Sequence, residues 1–318
     1  EDASRRVEGL CKRRFYPVQA TRLFDWPPSP GGTSWVRRLD DQELISVSTL
    51  ASGGTTIAAT DYFLEPVNNP PYNRIEIDLS STAVLQSGDT PQRSISVLGS
   101  WGYDDDTITA GTVASGLASD AAATSMVGSD GSLIDVGHAL LIGTEQVFVS
   151  GRSFAALGAI LLNDAAVTAD MSNVSITVDG SHGILAGETI RVDSEQMFVE
   201  GVATNVLTVR RAWNGTVLAA HANDTAVHIN RTYTIVRGIN GTTAAVHANS
   251  AAISKYVVPL DVNELCIAEA LAAYYQEQGG WGRLTGTGEM QVALNARDLS
   301  DLRKRVIGSY QLIRYEAI

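Results

Sequence analysis

Between residues 186 and 201 the chain reads AGETIRVDSEQMFVEG. Apolar Ile190 and Val192, then Met197 and Val199, alternate with polar neighbours on either side of a polar Asp193–Ser194 turn. Alternation with period two puts every second side chain on one face, so the run predicts a β-hairpin. The run NVLTVRRAWNG, residues 205–215, alternates Leu207 and Val209 and closes on Asn214–Gly215. That pair favours a tight turn because both residues tolerate left-handed backbone. The runs 43–50, 61–67, 73–79 and 93–103 show the same strand character, separated by Gly53–Gly54 and by Asn-Asn-Pro-Pro. They predict one antiparallel sheet with a single buried face.

A helical period appears at the two ends. Val7, Leu10, Cys11 and Phe15 share one face of residues 1–16, with Arg and Lys on the others, and Pro17 ends the helix. Residues 258–280 predict a second helix, with Asp261 as cap and Glu264 as capping-box partner. Leu265, Ala268, Leu271 and Tyr275 form its stripe, and Gly279–Gly280 end it. Leu299, Leu302 and Val306 predict a third helix. The final YQLIRYEAI alternates loosely, which suits an arm added to a neighbouring subunit and makes Tyr310, Leu312, Ile313 and Tyr315 candidate contacts.

The β-rich middle repeats itself, with two offsets. VGHALLIGTEQVFVSG (136–151) matches AGETIRVDSEQMFVEG (186–201) 50 residues later, aligning Glu145–Gln146 with Glu195–Gln196 and Phe148 with Phe198. NGTVLAAHAN (214–223) matches NGTTAAVHAN (240–249) only 26 residues later, aligning Arg211 with Arg237 and His221 with His247. Tandem copies share one offset; two offsets follow if one copy lies inside the other. An inner module at about 174–229 is therefore expected within an outer one at about 131–253. The resulting expectation is an α+β fold. A discontinuous domain of residues 1–117 and 255–318, with an N-terminal helix, an antiparallel sheet and C-terminal helices, carries an inserted all-β domain at 118–254.

Composition narrows the function. The chain has 318 residues, 44% hydrophobic and 18% charged, which is globular composition. It shows neither a bilayer-length apolar run nor a signal-peptide pattern. The net charge of −12 divides as +4 over residues 1–38, −9 over 39–117, −6 over 118–254 and −1 over 255–318. An acidic chain does not neutralise phosphates, which argues against nucleic-acid binding, although it suits a surface past which DNA slides. Cys11 and Cys266 match no ligand or redox spacing and read as buried thiols of a chain folded in a reducing cytoplasm.

Candidate chemistry is sparse. His221 and His247 have no second ligand at metal spacing, so they read as structural histidines fixing loops, with Asn214, Gly215, Asn240 and Gly241 as turn residues of the repeat. Asn173, Asn214, Asn223, Asn230 and Asn240 sit in N-x-S/T triplets, at least two of them explained by Asn-Gly turns. The recurring Glu145 and Glu195 suit hairpin or interface roles, and YDDDT (103–107) reads as a solvated acidic loop. No nucleophile–base pair, phosphate-binding glycine loop or metal cluster is legible, so no enzyme activity, cofactor or metal is expected. A β-insert that binds carbohydrate or a host surface is the alternative, resting on Trp213, the single tryptophan of residues 118–254.

The flanking phrases RRFYP…TRLFD (13–25), LISVSTL…GTTIAATDYFLEPVNNPPYNRIEI (44–77), ISVLGSWGY (95–103) and VPLDVNELCIAEALAAYY (258–275) together resemble the head–tail connector, or adaptor, proteins of long-tailed bacteriophages. The insert resembles β-repeats of phage structural proteins. The resemblance implies a virion protein of the neck, assembled in the bacterial cytoplasm as a homo-oligomeric ring, usually twelvefold. Such a ring sits below the portal, extends the DNA channel for packaging and ejection without sequence-specific DNA binding, and docks a downstream stopper or tail-terminator protein. It implies no membrane partner, and leaves the insert as decoration or a contact to capsid or neighbouring subunits.

Overall fold

The computed structural model describes residues 2–26, 34–118, 120–156, 160–164, 166–278, 284–285, 292–293 and 296–312. The chain is mostly β, with 39% in strands and 17% in helices. That overturns the α+β expectation, with its helix–sheet–helix connector core. The helical periods are real but few. Strands that carry little alternation of their own, such as Val18–Phe24 and Thr107–Ser115, shift the balance. Two compact units result: residues 1–106 with 257–318, and residues 107–256. Thr107–Ser115 falls in the second unit because it pairs there along its length.

The first unit contains helix α1 (Asp2–Cys11) and strands β1 (Val18–Phe24), β2 (Val36–Arg38), β3 (Leu44–Ser52), β4 (Thr55–Ile57), β5 (Tyr62–Glu65), β6 (Arg74–Ile77) and β7 (Ile95–Trp101). Helices α2 (Leu260–Gln278) and α3 (Ala296–Tyr310) complete it. The four strand runs read from sequence divide between two sheets, ordered β1-β7-β3-β4 and β2-β6-β5. Leu44, Leu50, Ile75, Ile95, Val97 and Trp101 fill the core they share, and the Trp101 indole donates to the Ala20 carbonyl at 2.9 Å. Gly99 lies where β3 and β7 come closest: a Cβ there would sit 2.2 Å from the Ser46 carbonyl oxygen.

The three helices share a smaller core of Val7, Cys11, Phe15, Val262, Leu265 and Val306, with Cys266 packed against it. Both cysteines are free thiols there, and burial raises the pKa of each. The buried stripe of α2 is Val262, Leu265 and Glu269, whereas Leu271 and Tyr275 are 49% and 37% exposed. The carboxylate of Glu269 explains the rotation. Hydrogen bonding from Arg303, joined by Arg6, holds its pKa below the usual value, so a charged side chain can occupy the inward face. Helix α2 begins at Leu260, so Asp261 lies inside its first turn and pairs with Arg305 at 3.6 Å instead of capping. Gly279 and Gly280 lie outside the described residues.

The second unit contains β8 (Thr107–Ser115), β9 (Ser125–Gly128), β10 (Ala139–Ile142), β11 (Glu145–Ala155), β12 (Ala166–Val167), β13 (Ser175–Thr177), β14 (Thr189–Val192), β15 (Glu195–Ala203), β16 (Val206–Arg210), β17 (His221–Ala222), β18 (Val227–Val236) and β19 (Ala252–Tyr256). The order β11-β10-β19-β8-β9-β18 closes on itself through β11–β18, giving a six-stranded barrel. A second ring runs from the start of β18 through β14, β15, β16 and β13. The bridges Leu162↔Val178 and Leu161↔Ala226 close it. Each ring has its own apolar core, one around Met126, Leu140, Val149 and Tyr233, the other around Ile176, Ile190, Val199 and Leu207.

The registers explain the two offsets. In the inner ring Phe198, Val199, Gly201, Val202 and Ala203 pair with Arg210, Val209, Thr208, Leu207 and Val206. In the outer ring Phe148, Val149, Gly151, Arg152 and Ser153 pair with Val236, Ile235, Thr234, Tyr233 and Thr232. Even the bulge recurs, with the register shifting across Ser150 in one pair and Glu200 in the other. Where the inner hairpin turns through Thr204 and Asn205, the outer hairpin is opened and the whole inner ring is threaded into the gap. Strand β18 is the return path: Val227–Ile229 pair with β14, and Thr232–Val236 pair with β9 and β11.

Candidate functional site

The residues that recur between the copies assemble into two matching buried clusters. Glu195 opens β15 and Arg211 follows β16, so the hairpin brings them together. The guanidinium grips the carboxylate in a fork, Nε to Oε1 at 2.7 Å and Nη2 to Oε2 at 2.8 Å. The backbone N–H groups of Ala212 and Ala219 donate to the same carboxylate at 2.9 and 3.0 Å, and His221 Nε2 lies 2.9 Å away. In the outer copy Arg237 grips Glu145 at 2.7 and 2.7 Å, Gly238 and Ala245 donate at 3.0 and 3.0 Å, and His247 Nε2 lies at 2.8 Å. Both glutamates are fully buried. Burial alone would raise their pKa values, but the arginine, backbone and histidine donors outweigh it and lower each to about 2.

The turn residues lock the same clusters. Asn214 and Asn240 adopt left-handed backbone, with φ of 54° and 53°. Each donates its side-chain amide to the preceding hairpin's glutamine, Gln196 or Gln146, at 2.9 Å. Gly215 and Gly241 follow with φ of 74° and 80°. Thr216 and Thr242 accept from the Gln196 and Gln146 backbone N–H groups at 3.0 and 2.9 Å. The repeat is thus a recurring clasp between the start of a hairpin and the loop after it. With two arginine and two backbone N–H donors, and a histidine nitrogen beside them, the roughly four acceptor sites of each carboxylate are filled, so the clasp is framework.

A third buried carboxylate joins the two rings. Glu188 accepts from the Gly131 N–H of the outer ring at 2.6 Å and from Leu185 at 2.8 Å, and pairs with Arg231 of β18. Among the described residues, no group of three or more His, Cys, Asp or Glu side chains could hold a metal ion. Nor is any described helix long and apolar enough to cross a membrane.

The site with room for a partner lies on the first unit. Helices α2 and α3 flank an open groove of about 810 Å³. Its floor is Ala268, Leu271, Tyr275, Leu299 and Leu302, and Glu264, Asp298, Asp301 and Arg305 stand at the rim. Ile267 and Tyr274, 53% and 55% exposed, extend the apolar surface of α2 round its outer side. Among the described residues, Val262 and Leu265 of α2 are buried with α1 and α3, while Ile267, Leu271, Tyr274 and Tyr275 keep exposed apolar surface.

No family model, curated protein or solved structure matches the chain.

Of the candidate contacts at the C-terminal end, Tyr310 packs edge-on against Phe15 and Tyr103 at 6.0 and 5.8 Å, and the Leu312 N–H donates to the Cys11 carbonyl at 2.9 Å. Ile313 and Tyr315 lie outside the described residues. Arg211 and Arg237 stand out in the sequence as recurring residues, but their pairing with Glu195 and Glu145 does not, and Arg231, the partner of Glu188, carries no such mark. The signal for two of them was present: a charged residue retained at both offsets needs a retained partner.

Proposed function

We propose that the protein is a structural head-to-tail adaptor of a tailed bacteriophage. It forms a homo-oligomeric ring, on the twelvefold pattern of such adaptors, below the portal and lets DNA pass without gripping it. A downstream neck protein, stopper or tail terminator, docks on the ring, in a virion assembled in the host cytoplasm. The observation that carries the reading is α2, whose Ile267, Leu271, Tyr274 and Tyr275 are exposed beside the α3 groove. Exposed apolar side chains grouped on one helix suit a protein contact, and copies related by rotation would bury them in a closed ring. The connector-like phrases before and after the second unit support the same reading, and they lie in the unit that carries α2. The overturned architecture contributes nothing to it.

Mass measurement of the purified chain, alone and mixed with the portal of the same virus, tests the proposal. A ring or a portal complex is expected, and Leu271→Glu with Tyr274→Glu should dissociate it while the monomer stays folded. A chain that remains monomeric and ignores the portal would sink the proposal.

A further inference from the structure

The two barrels serve as controls for one another. Positions that hold the clasp are the same in both copies, but one cluster of surface positions has diverged. Beside the shared phenylalanine, the outer copy has Ser150, Val236 and Ile239, and the inner copy has Glu200, Arg210 and Trp213. Arg210 touches each of the other two inner residues. Arg210 donates to Glu200 Oε1 at 3.0 and 2.6 Å, and its guanidinium lies 5.4 Å from the Trp213 ring centroid. Trp213 stacks on Phe198 with centroids 4.9 Å apart and planes tilted by 33°. Arg210 and Glu200 are 57% and 40% exposed, and an ion pair that open adds little stability. Folding alone therefore does not account for the cluster, since the outer barrel closes the same hairpin and turn without it.

We infer that the inner barrel carries a saccharide-binding site formed by Trp213, Phe198, Arg210 and Glu200. The apolar C–H face of a pyranose packs against indole, and its ring hydroxyls need donors and acceptors set close beside that face. With Arg210 Nε and Nη2 both donating to Glu200 Oε1, Arg210 Nη1 is left as the donor and Glu200 Oε2 as the acceptor for the sugar hydroxyls. Thr208 and Asn214, on the same hairpin and turn, are exposed and polar, and Val202, Val206 and Val217 add exposed apolar surface. Residues 118–254 carry a net charge of −6, which favours a neutral sugar over an acidic one. The inference stands apart from the adaptor reading, because it concerns the second unit alone.

The outer copy supplies the control substitutions. The full-length chain is applied to an array of neutral and acidic oligosaccharides from bacterial surfaces, and the neutral sugars that bind are titrated by calorimetry. Trp213→Ile should weaken that binding at least tenfold with the melting temperature unchanged, because isoleucine already occupies this turn position in the sister barrel. The double substitution Glu200→Ser, Arg210→Val should do the same, and it serves if the tryptophan variant fails to fold. A blank array, binding only to acidic sugars, or binding that survives both variants would overturn the assignment. So would variants that release a protein partner or reduce the assembled mass while no sugar binds.

Discussion

Asp193 Oδ2 lies 2.8 Å from His221 Nδ1, and the residue 50 positions earlier, Gly143, has no side chain to offer His247. The two clasps are otherwise matched donor for donor. Asp193 is 58% exposed, whereas Glu195 on the other side of the same ring is fully buried. Asp193→Gly should therefore cost about 1 kcal/mol or less, making the inner clasp resemble the outer one. Glu195→Ala should cost about 3–5 kcal/mol, because it strands the Arg211 guanidinium in the interior. Urea unfolding of the two variants checks the order, and equal losses would refute it.

Acid should loosen both barrels. Glu145 and Glu195 ordinarily titrate near 4.5 and are lowered to about 2 in the folded chain. A carboxylate whose pKa falls on folding stabilises the fold fully above its unfolded value, and loses that contribution as pH drops through its folded one. Each shift corresponds to about 3 kcal/mol, so the contribution of these two carboxylates should be constant above pH 5 and be lost between about 4.5 and 2. A melting temperature followed over that range, in the wild type and in Glu145→Gln, measures the effect. The variant should show a shallower acid slope.

The matched registers predict that the inner ring can be excised. Ser153 and Thr232 pair in the outer hairpin as Ala203 and Val206 pair in the inner one, where Thr204–Asn205 makes the turn. Joining Ser153 to Thr232 through Thr-Asn should leave a folded outer barrel with the Glu145–Arg237–His247 clasp intact. It will be weakened by loss of the Arg152 bonds to the Asn230 carbonyl and of the Gly131 bond to Glu188. Circular dichroism with a cooperative melt would show this, and a non-cooperative melt would contradict it.

Gly99→Ala should destabilise the first unit more than an ordinary surface change. Its new methyl would meet the Ser46 carbonyl oxygen at 2.2 Å, and backbone on a paired strand has little freedom to retreat. About 1–3 kcal/mol is expected, as for other overpacked interiors, with no change in the acid response of the second unit.

The strands with clean alternation were legible from sequence, among them Ile190–Val192 and Met197–Val199. The two offsets were legible as well, because side chains that clasp a shared turn are hard to replace. The ring closures were hidden. Leu161 and Leu162 close the inner ring through single bridges, and no periodicity announces two residues. The partners of Glu145 were obscured by distance: Arg237 and His247 lie 92 and 102 residues away, because an entire barrel intervenes. On α2 the apolar residues run round the helix, so the stripe chosen by spacing included Leu271 and Tyr275, which face out. A buried Glu269 set the true inward face, and its arginine partners come from the other two helices.

The turn at Thr204–Asn205 occupies in the inner barrel the place that the inner barrel occupies in the outer one. An architecture of this kind is recursive: its growth point is carried along with every addition. A further cassette spliced there would enter and leave through neighbouring backbone positions, so it could lengthen the series without reshaping the ring that hosts it. New surface would then be acquired in units of a whole barrel.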